Sequence, residues 1–151
     1  MNNLKQALFL YCLEQLERKR ETFSEALQNI EADRSSETKS SAGDKYETSR
    51  EMMRQEMDKL VVRIKAVDLD QKILNSLQEY KAVKAVTHGS LVKTDNGIFW
   101  IAISFGRTKL AEGAEVMVIS SDSPIGAALM HKKVGETATY NDKHFTIEEI
   151  C

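Results

Sequence analysis

The stretch from Asp44 to Gln78 reads DKYETSREMMRQEMDKLVVRIKAVDLDQKILNSLQ. Within it, Tyr46, Met53, Leu60, Val67 and Leu74 recur at every seventh position. Met57 and Ile64 fill the alternate seam positions, and Arg50 and Gln71 interrupt them with polar groups. A seven-residue apolar repeat keeps one stripe of a helix turned toward a partner helix, so this pattern predicts a coiled coil. At 1.5 Å per residue the helix spans roughly 50 Å.

Upstream, Leu4, Leu8, Tyr11, Leu16, Phe23, Leu27 and Ile30 follow steps that are mostly three, four or seven, which line one face of a first helix. The intervening residues, Arg34 to Gly43, carry no apolar anchor, and their Ser and Gly content disfavours helix. Two helices joined by a short polar loop fold back on each other, so residues 1–80 are expected to form an antiparallel coiled-coil hairpin with a tip loop near 34–43. A hairpin with one thin seam makes a poor core but carries a loop into a narrow space well. Heptads also serve dimerisation, and that use stays open on periodicity alone.

Downstream the grammar changes. Residues 1–80 contain one Gly (Gly43) and no Pro, whereas residues 81–151 hold the other six Gly and Pro124. Short β-branched and aromatic runs predict strands at Ala85–His88 continuing to Leu91–Thr94, then Gly97–Ser104, Glu115–Ser120, Glu136–Tyr140 and His144–Ile150. Asp95-Asn96-Gly97 and Asn141-Asp142-Lys143 read as hairpin turns. Ser123-Pro124-Ile125-Gly126-Ala127-Ala128-Leu129-Met130 reads as one short helix, with Ser123 as N-cap and Pro124 at the first helical position. Residues 81–151 are therefore expected to form a small antiparallel sheet domain with one helix, and the whole chain is α+β.

Composition excludes several classes. The chain has 151 residues and a formal net charge of −2, which gives no global basic field for non-specific nucleic-acid binding. The segment Glu31–Asp44 holds four acids (Glu31, Asp33, Glu37, Asp44) against Arg34 and Lys39, so the surplus of acid sits around the tip. No run approaches the ~18 apolar residues of a membrane span. The apolar run Ala7–Leu13 has only Lys5 before it and Glu14 and Glu17 after it, with no small-residue cleavage site, so a cytoplasmic protein with Cys12 and Cys151 reduced is expected. His88, His131 and His144 have no metal-ligand spacing, and no Gly-rich phosphate loop occurs. Cys12 on a helix reads as a structural thiol and Cys151 as a bystander. No serine has a base at a readable spacing, so a self-contained catalytic site is not expected.

The segments Val118–Leu129, Gly135-Glu136 and Phe145–Ile150 resemble the C-terminal domain of the GreA/GreB transcript cleavage factors. The resemblance rests on a strand, an Asp-Ser-Pro-Ile helix start, an Ala-Leu helix and a Gly-Glu turn into the last hairpin. It covers most of residues 83–151 and implies an FKBP-like fold there. Tyr46 followed by Arg50-Glu51 is similar to the start of the family's second hairpin helix.

The resemblance implies a bacterial, cytoplasmic, monomeric elongation factor that binds RNA polymerase and meets nucleic acid only within the elongation complex. Asp122, Ser123 and Pro124 match the segment that docks on the polymerase. The coiled coil is implied to enter the secondary channel, where tip acids help hold a polymerase magnesium ion; the factor is then no enzyme by itself and binds no metal alone. The family's two acids fall seven and four residues before the tyrosine, where this chain has Lys39 and Ala42. Asp33, Glu37 and Asp44 are the remaining candidate tip acids, so transcript-cleavage stimulation and regulation without cleavage both stay open.

Two other readings stand beside it. An FKBP-like domain can be a prolyl isomerase or chaperone, which needs an aromatic-lined pocket; Phe99, Trp100, Phe105, Tyr140 and Phe145 are the candidates. Adjacent residues in a strand face opposite ways, so Phe99 and Trp100 cannot both line it. A structural coiled-coil dimer is the third reading. Met52, Met53 and Met57 read as seam or flank packing, and Arg50 as a solvated seam edge.

Overall fold

The computed structural model describes the backbone of residues 1–37, 43–78 and 83–151, and the side chains of residues 1–36, 47–78 and 83–151. The helices are α1 (Asn2–Glu37), α2 (Gly43–Ser76) and α3 (Pro124–Leu129). The strands are β1 (Leu91–Thr94), β2 (Gly97–Ile101), β3 (Gly106–Lys109), β4 (Glu115–Ile119), β5 (Thr137–Tyr140) and β6 (Lys143–Ile150). The chain thus has two long N-terminal helices followed by a six-stranded sheet with one short helix. It divides into two compact units, Glu14–Gln71 and Met1–Leu13 with Lys72–Cys151.

In the first unit the two helices pair antiparallel within one chain. Gln71 Nε2 donates to Glu17 Oε2 at 2.9 Å, Arg20 Nε donates to Asp68 Oδ1 at 2.7 Å, and the Arg63 guanidinium lies 5.8 Å from the Phe23 ring centre. One partner number falls as the other rises, which is the signature of an antiparallel pair. The heptad residues Leu60 and Val67 are buried, and Met53, Met57 and Ile64 are half-buried, as a seam requires. Met52, beside the seam, is 66% exposed. The α1 helix continues through residues 34–37, which were expected in the loop. Ser35 Oγ donates to Glu31 O at 3.0 Å and Ser36 Oγ to Asp33 O at 2.8 Å, so these serines satisfy their hydroxyls on the helix itself. The expected loop residues 38–42, including Lys39 and Ala42, lie outside the described residues.

The second unit holds the sheet, in the order β3-β4-β2-β1-β6-β5. All neighbours are antiparallel except β2 and β4, which run parallel with Phe99 opposite Met117 and Ile101 opposite Ile119. The expectation of a wholly antiparallel sheet is corrected at this one pair. The chain reverses after Ile101, forms β3 one place beyond its neighbour, and reverses again so that β4 fills the gap in the direction of β2. The β3 strand was not anticipated: Gly106-Arg107-Thr108-Lys109 has no apolar alternation, and only Thr108 is buried.

Residues 85–88 were expected to continue into β1 but form a loop. Gly89 takes a left-handed φ of +90°, and a Cβ there would lie 3.1 Å from Leu77 Cδ2. The loop is held by the Thr87 N–H donating to Ser90 Oγ at 3.0 Å. The two expected turns do form. Thr94 faces Gly97, leaving Asp95 and Asn96 as the loop, and Asp95 Oδ1 accepts the Thr146 N–H of β6 at 2.8 Å. Tyr140 faces Lys143, with Asn141 and Asp142 at φ +49° and +59°, the backbone of a type I′ turn.

Strand alternation buries both faces of β2. Phe99 and Ile101 join Val92, Ala138, Phe145, Ile147, Val86 and Leu129 of α3 in one core. Trp100 points the other way and is 1% exposed, and its Nε1–H donates to Gly89 O at 3.3 Å. That second face meets the helix ends that belong to the same unit. Tyr11 packs edge-on against Phe105 with ring centres 6.3 Å apart, and Phe9, Leu10, Leu77 and Trp100 line a shared cleft.

Thr108 is 2% exposed, and its Oγ1 has no hydrogen-bond partner among the described residues. A buried unpaired hydroxyl costs about 1–3 kcal/mol. Thr108→Val keeps the shape and removes that cost, so it is expected to raise the urea midpoint by the equivalent of about 1 kcal/mol or more. An unchanged or lowered midpoint in equilibrium unfolding would refute this.

Candidate functional site

The candidate docking segment is built by the turn that starts α3. Ser123 has extended backbone (φ −64°, ψ 151°), which exits the strand and places its side chain over the helix start. Its Oγ accepts the Gly126 N–H at 3.1 Å and donates to Ser120 O at 2.7 Å. The Ser123 N–H also donates to Ser120 O at 3.2 Å, and Ala127 N donates to Ser123 O at 2.7 Å. One serine therefore closes the turn on both sides. Pro124 follows at the first helical position, where a missing N–H costs nothing.

Gly126 is a determinant that reading the residues did not single out. A Cβ on it would fall 2.1 Å from Ser120 O and 2.7 Å from Ser123 Oγ. The absence of a side chain lets α3 press onto the 120–123 turn. The signal available was the glycine itself, placed in the first turn of a six-residue helix where Ala would otherwise be preferred. With the turn so fixed, Asp122 and Pro124 are both exposed while Ser123 is half-buried. Ser123 shapes the segment, and Asp122 and Pro124 present it.

The candidate tip acids belong to the other unit. Asp33 is exposed near the end of α1. Glu37 is the last residue of α1 and Asp44 lies in the first turn of α2; the side chains of both fall outside the described residues. Along α2, Arg50 is exposed. Glu51 accepts hydrogen bonds from Arg54 first and Gln55 second, which hold its carboxyl down at about 2. Among the described residues no three His, Cys, Asp or Glu side chains cluster as metal ligands would.

The aromatic candidates do not converge on one cavity. Phe99 and Phe145 meet edge-to-face at 5.5 Å inside the core, each 5% exposed. Tyr140 packs on the same core, Trp100 lies on the opposite face, and Phe105 stacks against Tyr11. Cys12 is fully buried, and burial pushes its thiol from 9.0 up to about 12. A thiol so placed is no nucleophile at neutral pH.

Two outcomes follow from this geometry. Gly126→Ala forces Cβ into Ser120 O, so unfolding should show a loss of about 1–3 kcal/mol, more than Ala127→Gly on the exposed side of the same helix. For Cys12, the folded thiol keeps its proton more tightly than the unfolded one. That stabilisation is fully present below the unfolded value near 9 and is lost as pH rises through about 12. Unfolding followed from pH 8 to 12 should therefore fall less steeply in Cys12→Ala than in the wild type, and equal slopes would disprove the assignment.

A family model described as the C-terminal domain of the transcription elongation factors GreA/GreB matches residues 109–150. The match runs from the last residue of β3 through β4, α3 and β5 to the end of β6, and so contains the whole candidate segment Asp122-Ser123-Pro124. No curated protein matches the chain. No helix of the described residues is long and apolar enough to cross a membrane. Residues 109–150, which follow a long helical hairpin in the chain, are thus similar to the C-terminal domain of the GreA/GreB transcription elongation factors.

Proposed function

We propose that this protein binds RNA polymerase through the exposed segment Asp122-Ser123-Pro124 and extends its α1–α2 hairpin into the polymerase's secondary channel. The observation that carries this reading is the hairpin itself, closed within one chain by Glu17–Gln71 and Arg20–Asp68 and joined to a GreA/GreB domain. A helix of 36 residues spans roughly 54 Å, a length that serves reach rather than core formation.

The family's cleavage chemistry requires a carboxylate to complete the oxygen shell of a hard cation at the polymerase active site. In this reading the tip acids act as single ligands to an ion that the polymerase holds. Asp33, Glu37 and Asp44 are the acids available for that role, because Lys39 and Ala42 stand where the family places its pair. Regulation without cleavage requires only that the hairpin occupy the channel. In either case hydrolysis belongs to the polymerase, and this chain is not an enzyme alone. The FKBP-like fold of the sheet domain and its cytoplasmic place are part of the same reading.

The test is a purified backtracked elongation complex. Shortening of the RNA from its 3′ end on addition of the protein, lost in an Asp33→Asn, Glu37→Gln, Asp44→Asn variant, establishes cleavage stimulation. Binding without shortening establishes the regulatory mode. Absence of binding to the polymerase overturns the proposal.

A further inference from the structure

The other end of α3 carries charge of the opposite sign to Asp122. His131, Lys132 and Lys133 follow the helix directly, with His131 in a left-handed conformation (φ 65°) that turns the chain sharply there. The turn is clamped to the loop before β1: the His131 N–H donates to Val86 O at 2.8 Å and the Val86 N–H donates to Lys132 O at 2.8 Å. These two bonds tie Val86, two residues after Lys84, to the basic turn. His131, Lys133 and Lys84 are exposed and Lys132 half-exposed. None of the three ammonium groups has an ion-pair partner among the described residues.

Apolar side chains are exposed on α3 and after the lysines. Pro124 and Ala127 are exposed on α3, and Val134, directly after the lysines, is 57% exposed. Exposed apolar residues mixed with charged ones in one segment suit a protein interface. Nucleic acid is the poorer fit. A phosphate backbone has no use for the exposed Pro124, Ala127 and Val134.

We propose that the face running from Pro124 along α3 to Val134, with Lys84 two residues before Val86, receives an acidic segment of a protein partner. The inference rests on the polymerase-binding reading and deepens it: the polymerase surface that meets Asp122 and Pro124 presents carboxylates opposite Lys84, Lys132 and Lys133. Rim charges of this kind act mainly on the rate of association and on its salt dependence.

The experiment measures binding of the full chain to RNA polymerase across a salt series, for wild type, K132E/K133E and K132R/K133R, with thermal melts to show that all three fold. The expected result is about tenfold weaker binding of K132E/K133E at low salt and a flatter salt dependence, with K132R/K133R close to wild type. Equal affinity and equal salt slope in K132E/K133E overturn the inference. Wild-type binding to a short RNA or DNA oligonucleotide that K132E/K133E abolishes also overturns it, in favour of nucleic acid. Immobilised poly-glutamate separates the two proposals. Retention of wild type but not of K132E/K133E, with no binding to polymerase, removes the polymerase reading and keeps the acidic-segment surface; retention of neither removes both.

Discussion

The strand β2 is the constraint on which the sheet domain depends. Successive side chains of a strand must face opposite ways, and in Phe99-Trp100-Ile101 both directions are buried. Phe99 and Ile101 nucleate the core under α3, while Trp100 fills the other face and meets the cleft lined by Phe9, Leu10 and Leu77. A sheet buried on both sides needs a cover on each. The short helix α3 supplies one, and the ends of α1 and α2 supply the other, which is why Met1–Leu13 and Lys72 onward group with the strands. The position of β4 beside β2 follows from the same demand, since Val116 and Val118 are fully buried while Met117 and Ile119 pack on the α3 core.

Within that frame, α3 is held at both of its ends. Six residues make too short a helix to be stable in isolation, so its place is set by tertiary contacts. Ser123 ties its first turn to Ser120, Gly126 removes the Cβ that would hold the two apart, Leu129 anchors the inner face, and the His131–Val86–Lys132 bonds clamp its far end. Asp122, Pro124, Ala127 and the basic turn are left outward on a rigid support. Polar chemistry at this site depends on a backbone whose freedom has been removed by four short-range contacts.

Much of this was legible in the residues. The heptads from Met53 to Leu74 marked the hairpin because the period of an apolar stripe follows directly from helix geometry. Ser123-Pro124 marked the start of α3 because each residue suits only that position, and Asn141-Asp142 marked a turn because both tolerate positive φ. The β3 strand was invisible because it is an edge strand with one buried side chain, Thr108. The break at Gly89 was hidden because a lone glycine in a β-branched run does not by itself reveal a left-handed φ. The basic turn after α3 was unremarkable in sequence, since it is tied to Val86 through hydrogen bonds between residues some 46 positions apart.

The sequence alone therefore determined the long helices and their heptad stripe, most of the strands, the cap and the turns, and the family resemblance carried by Asp122–Leu129. All of these depend on neighbours within a few positions, where propensity and period act. Only the tertiary structure decided the parallel pairing of β2 with β4, the opposite burial of Phe99 and Trp100, the requirement for glycine at 126, and the bonding of Val86 to the turn at His131 and Lys132. Those features depend on contacts between distant segments, which no local pattern encodes.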